Sequence, residues 1–309
     1  MFKLPDRPTA RDGVHALADY AELLAWTRTR VSAREMVALL GREGEAEPNE
    51  GCDDIDDEAD ETMGEVMDEI ERRQAACRGR YPFELDAAGN VLHYRPTAVQ
   101  DHDRLYGYLL LSTRLNMTRS RQHADIDGTL LLEEISASAL RQYFGDGRAQ
   151  ALIFGTAAGS ENFPGRVTAM CQQLGEAYGF RALDSGPVHA NDDKLDVVTW
   201  LPFADGAPGQ VILFAQCKTG TSWAGQLTQL RPDAFLTKWV DGAFLLTPFR
   251  AFCISEAMDR SRWGGYVAEA GLLLDRCRLM DCCDTLDHQL SERIERWNIA
   301  ALERVGVDL

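Results

Sequence analysis

Apolar positions in the first half of the chain recur at helical spacing. Val14, Leu17, Ala18, Ala21, Leu24 and Ala25 mark one helical face. Ser32-Ala33-Arg34-Glu35 fits a capping box that opens a second helix through Leu40, with Gly41 as its stop. From Thr62 to about Cys77, Met63, Val66, Met67 and Ile70 predict a charged helix with one apolar face. Tyr81 to Leu85 and Val91 to Tyr94 flank Asp86-Ala87-Ala88-Gly89-Asn90, which predicts a β-hairpin over 81–96. Helices follow from Asp101 to about Leu115 and from Gly128 to about Phe144. Another runs from Phe163 to Tyr178, with Val167, Met170, Cys171, Leu174 and Tyr178 on one face and Gly179 as its stop.

The period then changes. Leu195, Val197 and Val198 read as a buried strand, and Val211 to Ala215 as a second. Pro202, Asp205-Gly206, Pro208 and Gly209 between them form a turn-rich connection. Thr219 to Trp223 opens a helix expected to reach Leu230. Gly242 to Pro248 and Phe249 to Ile254 read as third and fourth strands. Leu272 to Leu279 is a short apolar element ending in Asp275, Arg276 and Arg278, a structural ion network ahead of a phosphate contact. The C-terminal helix spans about Asp284 to Leu302, with Leu286, Leu290, Ile294, Trp297 and Ala301 on its core face. Strands set among helices predict an α/β class. The division expected is a helix-rich N-terminal domain, 1–145, with an acidic loop (43–61) and the hairpin (81–96), followed by a mixed sheet flanked by helices over 146–309. The first two helices, with Val31-Ser32 between them, read as a helical hairpin that also resembles half of a winged helix-turn-helix.

Charge complicates any role in binding nucleic acid. The 309 residues carry a formal net charge of −17, whereas a phosphate-binding surface needs clustered Lys and Arg. The acidity is concentrated, however. Glu43 to Glu71 contains no lysine or arginine, and the remainder is close to neutral. Arg114, Arg119, Arg121, Arg141, Arg148, Arg250, Arg260, Arg262, Arg276 and Arg278 leave room for a local positive groove. The acidic segment itself reads as a solvated charge run, or more sharply as a mimic of DNA over that groove or a strip for a basic partner. No apolar run approaches a membrane span, and Met1 to Asp6 lacks the apolar core of a secretion signal, so a cytoplasmic protein with reduced thiols is expected. Cys277, Cys282 and Cys283 cluster without a second ligand set, so no zinc site is expected.

Candidate chemistry lies on the two strands. Asp196 sits on the first, where a buried aspartate needs a partner or a metal. The second ends in Gln216-Cys217-Lys218, and strand alternation puts Gln216 and Lys218 on one face. A hard divalent cation takes oxygen ligands, which Asp196, the Gln216 side-chain carbonyl and the Cys217 backbone carbonyl offer. Lys218 is suited to orienting water or stabilising developing negative charge. An Asp196–Lys218 salt bridge of purely structural value is the plain reading of the same residues.

This D…QxK hairpin, between helices, resembles the core of the PD-(D/E)xK nuclease superfamily in its Mrr-like, restriction-endonuclease-like form, over about residues 160–255. The resemblance implies a restriction-endonuclease-like mixed sheet and a metal-dependent endonuclease acting on DNA. It implies Mg²⁺ or Mn²⁺ as cofactor, with Asp196, Gln216 and Lys218 as catalytic positions and Asp196, Gln216 and Cys217 at the metal. A restriction or antiphage-defence effector is the expected setting, with a homodimer or a protein partner in a multi-subunit system as the assemblies it allows. Family members often take a further acid from the preceding helix, for which Glu161 and Glu176 stand ahead of Glu133 and Glu134. Asp192, Asp193 and His189 read more simply as loop residues. Trp223 and Trp239 read as packing ahead of base stacking. Two other readings stay open: an inactive nuclease-like scaffold whose acidic segment recruits a basic partner, and an unrelated α/β enzyme.

Overall fold

The computed structural model describes residues 2–41, 53–155, 162–183 and 193–305. At the N-terminus the order is α1 (Val14–Arg28), β1 (Arg30–Ser32), α2 (Ala33–Gly41), α3 (Asp53–Ala76), β2 (Phe83–Leu85) and β3 (Val91–Tyr94). The strands form an antiparallel sheet of order β1-β3-β2. The capping box is realised: Ser32 N–H donates to Glu35 Oε2 (2.8 Å), and Glu35 N–H donates to Ser32 Oγ (3.2 Å). The three residues of β1 convert the expected helical hairpin into the order helix–strand–helix–helix–strand–strand. The loop expected over 43–61 is helical from Asp53 onward, and 43–52 lie outside the described residues. Met63, Val66, Met67 and Ile70 bury its inner face.

The middle of the chain adds α4 (Gln100–Arg114), β4 (Gln122–His123), β5 (Ile126–Asp127), α5 (Gly128–Phe144), β6 (Gln150–Ile153), α6 (Phe163–Leu174) and β7 (Gly179–Phe180). It is followed by β8 (Val197–Leu201), β9 (Val211–Lys218), α7 (Pro232–Trp239), β10 (Val240–Asp241) and β11 (Phe249–Ile254). The chain ends with α8 (Trp263–Ala270), β12 (Leu272–Leu274), α9 (Arg276–Cys282) and α10 (His288–Val305). The main sheet is mixed, with order β12-β11-β9-β8-β6. β8 runs antiparallel to both neighbours, while β9, β11 and β12 are parallel.

Three expectations fail here. The helix expected to reach Tyr178 ends at Leu174, where Gly175 takes φ +64°, and Tyr178 is exposed. Residues 219–230 hold one 3-10 turn, Ala224–Gln226, and the helix starts at Pro232, whose fixed φ suits a first helical turn. Residues 242–248 are a loop rather than a strand. Gly242 takes φ +95°, Leu245 and Leu246 are exposed, and Leu245 N–H donates to the Glu176 carboxylate instead of to a ladder.

The sheet buries both faces. Val197, Leu213, Ala215, Cys217, Ala251 and Cys253 join a core shared with the N-terminal helices. Val198, Trp200, Ile212 and Phe214 pack with Phe163, Val167, Met170 and Phe235 of α6 and α7. The expected boundary at 145 separates α5 from β6, β8 and β9, the strands α5 packs on, so one hydrophobic core runs across it.

A buried ion network ties the same halves together. Asp19 of α1 meets Arg73 (2.7 Å), Arg114 (2.6 Å) and Arg276 (2.9 Å). Glu22 accepts from Arg73 (2.9 Å), Tyr81 Oη (2.7 Å) and Tyr106 Oη (2.8 Å). Burial pushes the Asp19 carboxyl up, but the three guanidiniums outweigh it and hold the group well below the usual carboxylate range. Arg114, expected to serve a surface groove, is therefore an interior residue, and Arg276 takes the structural ion-network role expected of it. Asp275 is structural too, pairing with Arg260 (2.9 Å) and accepting from Met258 N–H (3.2 Å) and Arg278 N–H (3.1 Å). Among the described residues, no helix is long and apolar enough to cross a membrane.

Candidate active site

Register brings the predicted residues together. Val197 pairs with Ala215, which sets Asp196 across from Gln216. Asp196 leaves the regular ladder. Its carbonyl accepts from both Phe154 N–H (2.8 Å) and Gly155 N–H (3.0 Å), the two-against-one count of a β-bulge. Its own N–H donates to Ala215 O (2.9 Å). The Asp196 carboxylate, almost fully buried, accepts from Cys217 N–H at 2.7 Å. That contact puts the carboxylate within one residue of both Gln216 and Lys218.

Gln216 is 0 % exposed, and among the described residues neither its Oε1 nor its Nε2 has a hydrogen-bond partner. An unpaired buried amide costs about 1–3 kcal/mol and calls for a reason. Lys218, two residues on and on the same strand face, is half-buried at the edge of this interior. The Cys217 side chain points the other way, into the core beneath α5. Burial, with the neighbouring Cys253, pushes its thiol well up, so it stays protonated.

Glu176, one of the helix acids expected near the strands, serves another part of the fold. Glu176 accepts from Gly209 N–H (2.7 Å) and Leu245 N–H (2.9 Å), which fixes loops at the start of β9, the end remote from Lys218. Glu161 lies outside the described residues, as do Asp192 and His189. Glu134 forms a bidentate pair with Arg293 (2.7 Å each). Glu133 of α5 is buried, and its carboxylate presses on Gly155, where a Cβ would collide with it. Gly155 also receives Arg166 Nη1 on its carbonyl (2.8 Å). Glu133, Arg166 and Asp196 thus converge on the bulge from two helices and a strand. A signal for Glu133 existed: with Ser136, three residues on, it is the polar part of an otherwise apolar buried face.

Nearby residues have structural duties. Asp193 accepts from Trp239 Nε1 (2.5 Å) and pairs with Lys238 (3.4 Å). Trp239 packs on Phe163 and Phe180, and Trp223 is buried against Tyr266. Among the described residues, no three His, Cys, Asp or Glu side chains are grouped to hold a metal. A cation at the bulge would therefore draw on amide and backbone oxygens as well as carboxylates. The orphaned Gln216 Oε1 beside Asp196 fits that requirement, because hard divalent cations accept carbonyl oxygens. No family model, no curated protein and no solved structure matches the chain.

Proposed function

We propose that the chain is a metal-dependent endonuclease that hydrolyses DNA phosphodiester bonds, with a restriction-endonuclease-like core. The observation that carries this reading is the buried, unpartnered Gln216 amide beside the Asp196 carboxylate, with Lys218 next on the same strand face. The order helix α5, strands β6, β8 and β9, helix α7, strand β11 and the mixed sheet support it.

Asp196, Gln216 Oε1 and the Cys217 carbonyl would hold Mg²⁺ or Mn²⁺. Bound there, the cation supplies a Lewis acid that activates water and polarises a phosphoryl oxygen. Cys217 N–H fixes the Asp196 carboxylate, and Gly155 holds Glu133 close to the bulge. Lys218 positions the attacking water and offsets charge that builds on the phosphoryl group. Water attacks phosphorus in line and gives up a proton to solvent, the ester P–O bond opposite breaks, and the departing oxygen takes up a proton from solvent.

The test is cleavage of plasmid and linear DNA, with single-stranded DNA and RNA alongside, in Mg²⁺ or Mn²⁺. Cutting that needs metal and is lost in both Asp196→Ala and Lys218→Ala is the expected result. Cutting that persists in either folded variant overturns the assignment. A second reading, a non-catalytic scaffold that recruits a basic partner, draws on Glu61, Glu65, Asp68 and Glu71, exposed along α3. An inert wild type with a stable co-purifying basic partner would favour it.

A further inference from the structure

A separate cavity of about 450 Å³ opens beyond the ends of the parallel strands β9 and β11. Crevices at the carboxyl ends of parallel strands are the usual ligand sites of α/β sheets, and this volume lies in the range of small-molecule pockets. Its walls come from three places: residues 11–16 at the start of α1, the segment after Lys218, and the segment from Glu256 to Tyr266.

Three features of the cavity point to an anion. Arg114 lines it and is 1 % exposed; its Nε is committed to Asp19 (2.6 Å), yet among the described residues its Nη1 has no partner. An orphaned guanidinium nitrogen in a buried wall needs an acceptor. The N-terminus of the 15-residue α1 opens onto the same space through Gly13, His15 and Ala16, with no side chain capping it and no acid in its first turn. A bare helix N-terminus favours a phosphate. Arg11 and Arg262 add positive charge at the rim. The carboxylates in the wall are engaged: Asp12 accepts from Thr9 N–H (2.9 Å), Asp259 from Ser261 N–H (2.8 Å) and Glu256 from Trp223 Nε1 (2.5 Å).

The cavity exceeds what an inorganic anion fills, and its far wall is aromatic. Trp223 and Tyr266 meet edge to face at 5.1 Å, with Tyr266 half-buried. We infer that the cavity binds a phosphate-bearing nucleotide, its phosphate at Arg114 and the α1 N-terminus and its base against Tyr266. This assignment stands apart from the nuclease reading, since none of Asp196, Gln216 and Lys218 lines the cavity.

The test is calorimetric titration and thermal shift of the full chain with AMP, adenosine and inorganic phosphate. AMP should bind and raise the melting temperature, about tenfold more tightly than phosphate, the low end of a stacked base's contribution; adenosine should bind weakly. Gly13→Asp is the decisive variant. Gly13 has φ −66° and open space at its Cβ, so aspartate fits, caps α1 and puts a carboxylate where the phosphate would sit. It should keep or raise the melting temperature and lose AMP. Tyr266→Ala should reduce AMP binding to the level of phosphate. Comparison of 5′-phosphorylated with 5′-hydroxyl short DNA then separates the source: binding of the phosphorylated strand alone, together with AMP, assigns the site to strand ends, and binding of AMP alone assigns it to free nucleotides. No response to AMP, AMP no tighter than phosphate, or AMP binding unchanged in folded Gly13→Asp overturns the assignment.

Discussion

Asp19→Asn tests whether the buried ion network holds the two halves of the chain together. The substitution keeps shape and removes one charge. Asp19, Glu22 and Glu69 balance Arg73, Arg114 and Arg276, so the variant leaves one uncompensated guanidinium in the interior. Asp19 contacts all three arginines, at 2.7, 2.6 and 2.9 Å. Breaking a buried ion pair on one side costs about 3–5 kcal/mol. With an unfolding entropy of about 2.1 cal/mol/K per residue, a chain of this length loses roughly 6 °C of melting temperature for ~4 kcal/mol. Urea and thermal unfolding followed by circular dichroism at pH 7 measure both quantities. The sign of the pH dependence follows from the depressed carboxyl. Its stabilisation is present above the unfolded carboxylate's pKa and is lost as the solution is made strongly acid, so the gap between wild type and variant should close on acidification. A loss below about 1 kcal/mol at pH 7, or a gap that widens on acidification, would refute the argument that Asp19 anchors three arginines.

Other consequences follow from single residues. Gln216→Met removes an unpaired buried amide at nearly constant volume, so it should stabilise the metal-free chain by about 1–3 kcal/mol and abolish metal-dependent cleavage; destabilisation by a similar amount would show that the amide is satisfied. Gly155→Ala should cost roughly 1–3 kcal/mol by driving a methyl into the Glu133 carboxylate, and unchanged urea unfolding would place Glu133 elsewhere. Burial and the Arg114 charge lower Lys3 to about 8 from 10.5. Between those values the unfolded chain holds a proton that the folded chain releases, so stability should rise with pH through that window, and the rise should vanish in Lys3→Met. Parallel urea-midpoint curves for Lys3→Met and wild type from pH 7.5 to 10.5 would refute it.

How much of this was legible depends on range. The capping box at Ser32 and Glu35, the strands at Val197 and Val211, and the strand at Phe249 rest on neighbours within a few residues, and the sequence showed them. Gly242 to Pro248 looked like a strand because it is apolar, but its backbone is claimed by the distant Glu176 carboxylate. The acidic run from Asp53 looked like a loop because its charges repel, yet it belongs to one helix with Met63, Val66, Met67 and Ile70, whose burial in the core holds that helix. Arg114 looked like surface charge because nothing nearby in sequence shows that Asp19 lies against it.

The candidate site divides along the same line. Asp196, Gln216 and Lys218 sit on adjacent strands, and period-2 alternation is enough to align them. Glu133 ranked behind Glu161 and Glu176 because the intervening chain carries β6 and α6, and the helix nearest in sequence drew the assignment instead. α5 nevertheless packs on the face that holds Cys217, and its Glu133 reaches Gly155, whose N–H joins the bulge at Asp196. The bulge, the glycine pressed by a carboxylate and the unpaired amide each break a local rule of stability within a few residues of one another. Elsewhere in this core, polar groups such as Asp19, Glu22 and Arg73 are densely paired. A fold that pairs Asp19, Glu22 and Arg73 so densely and leaves the Gln216 amide bare beside Asp196 sets an unsatisfied group against a buried carboxylate, which is where a reaction is to be sought.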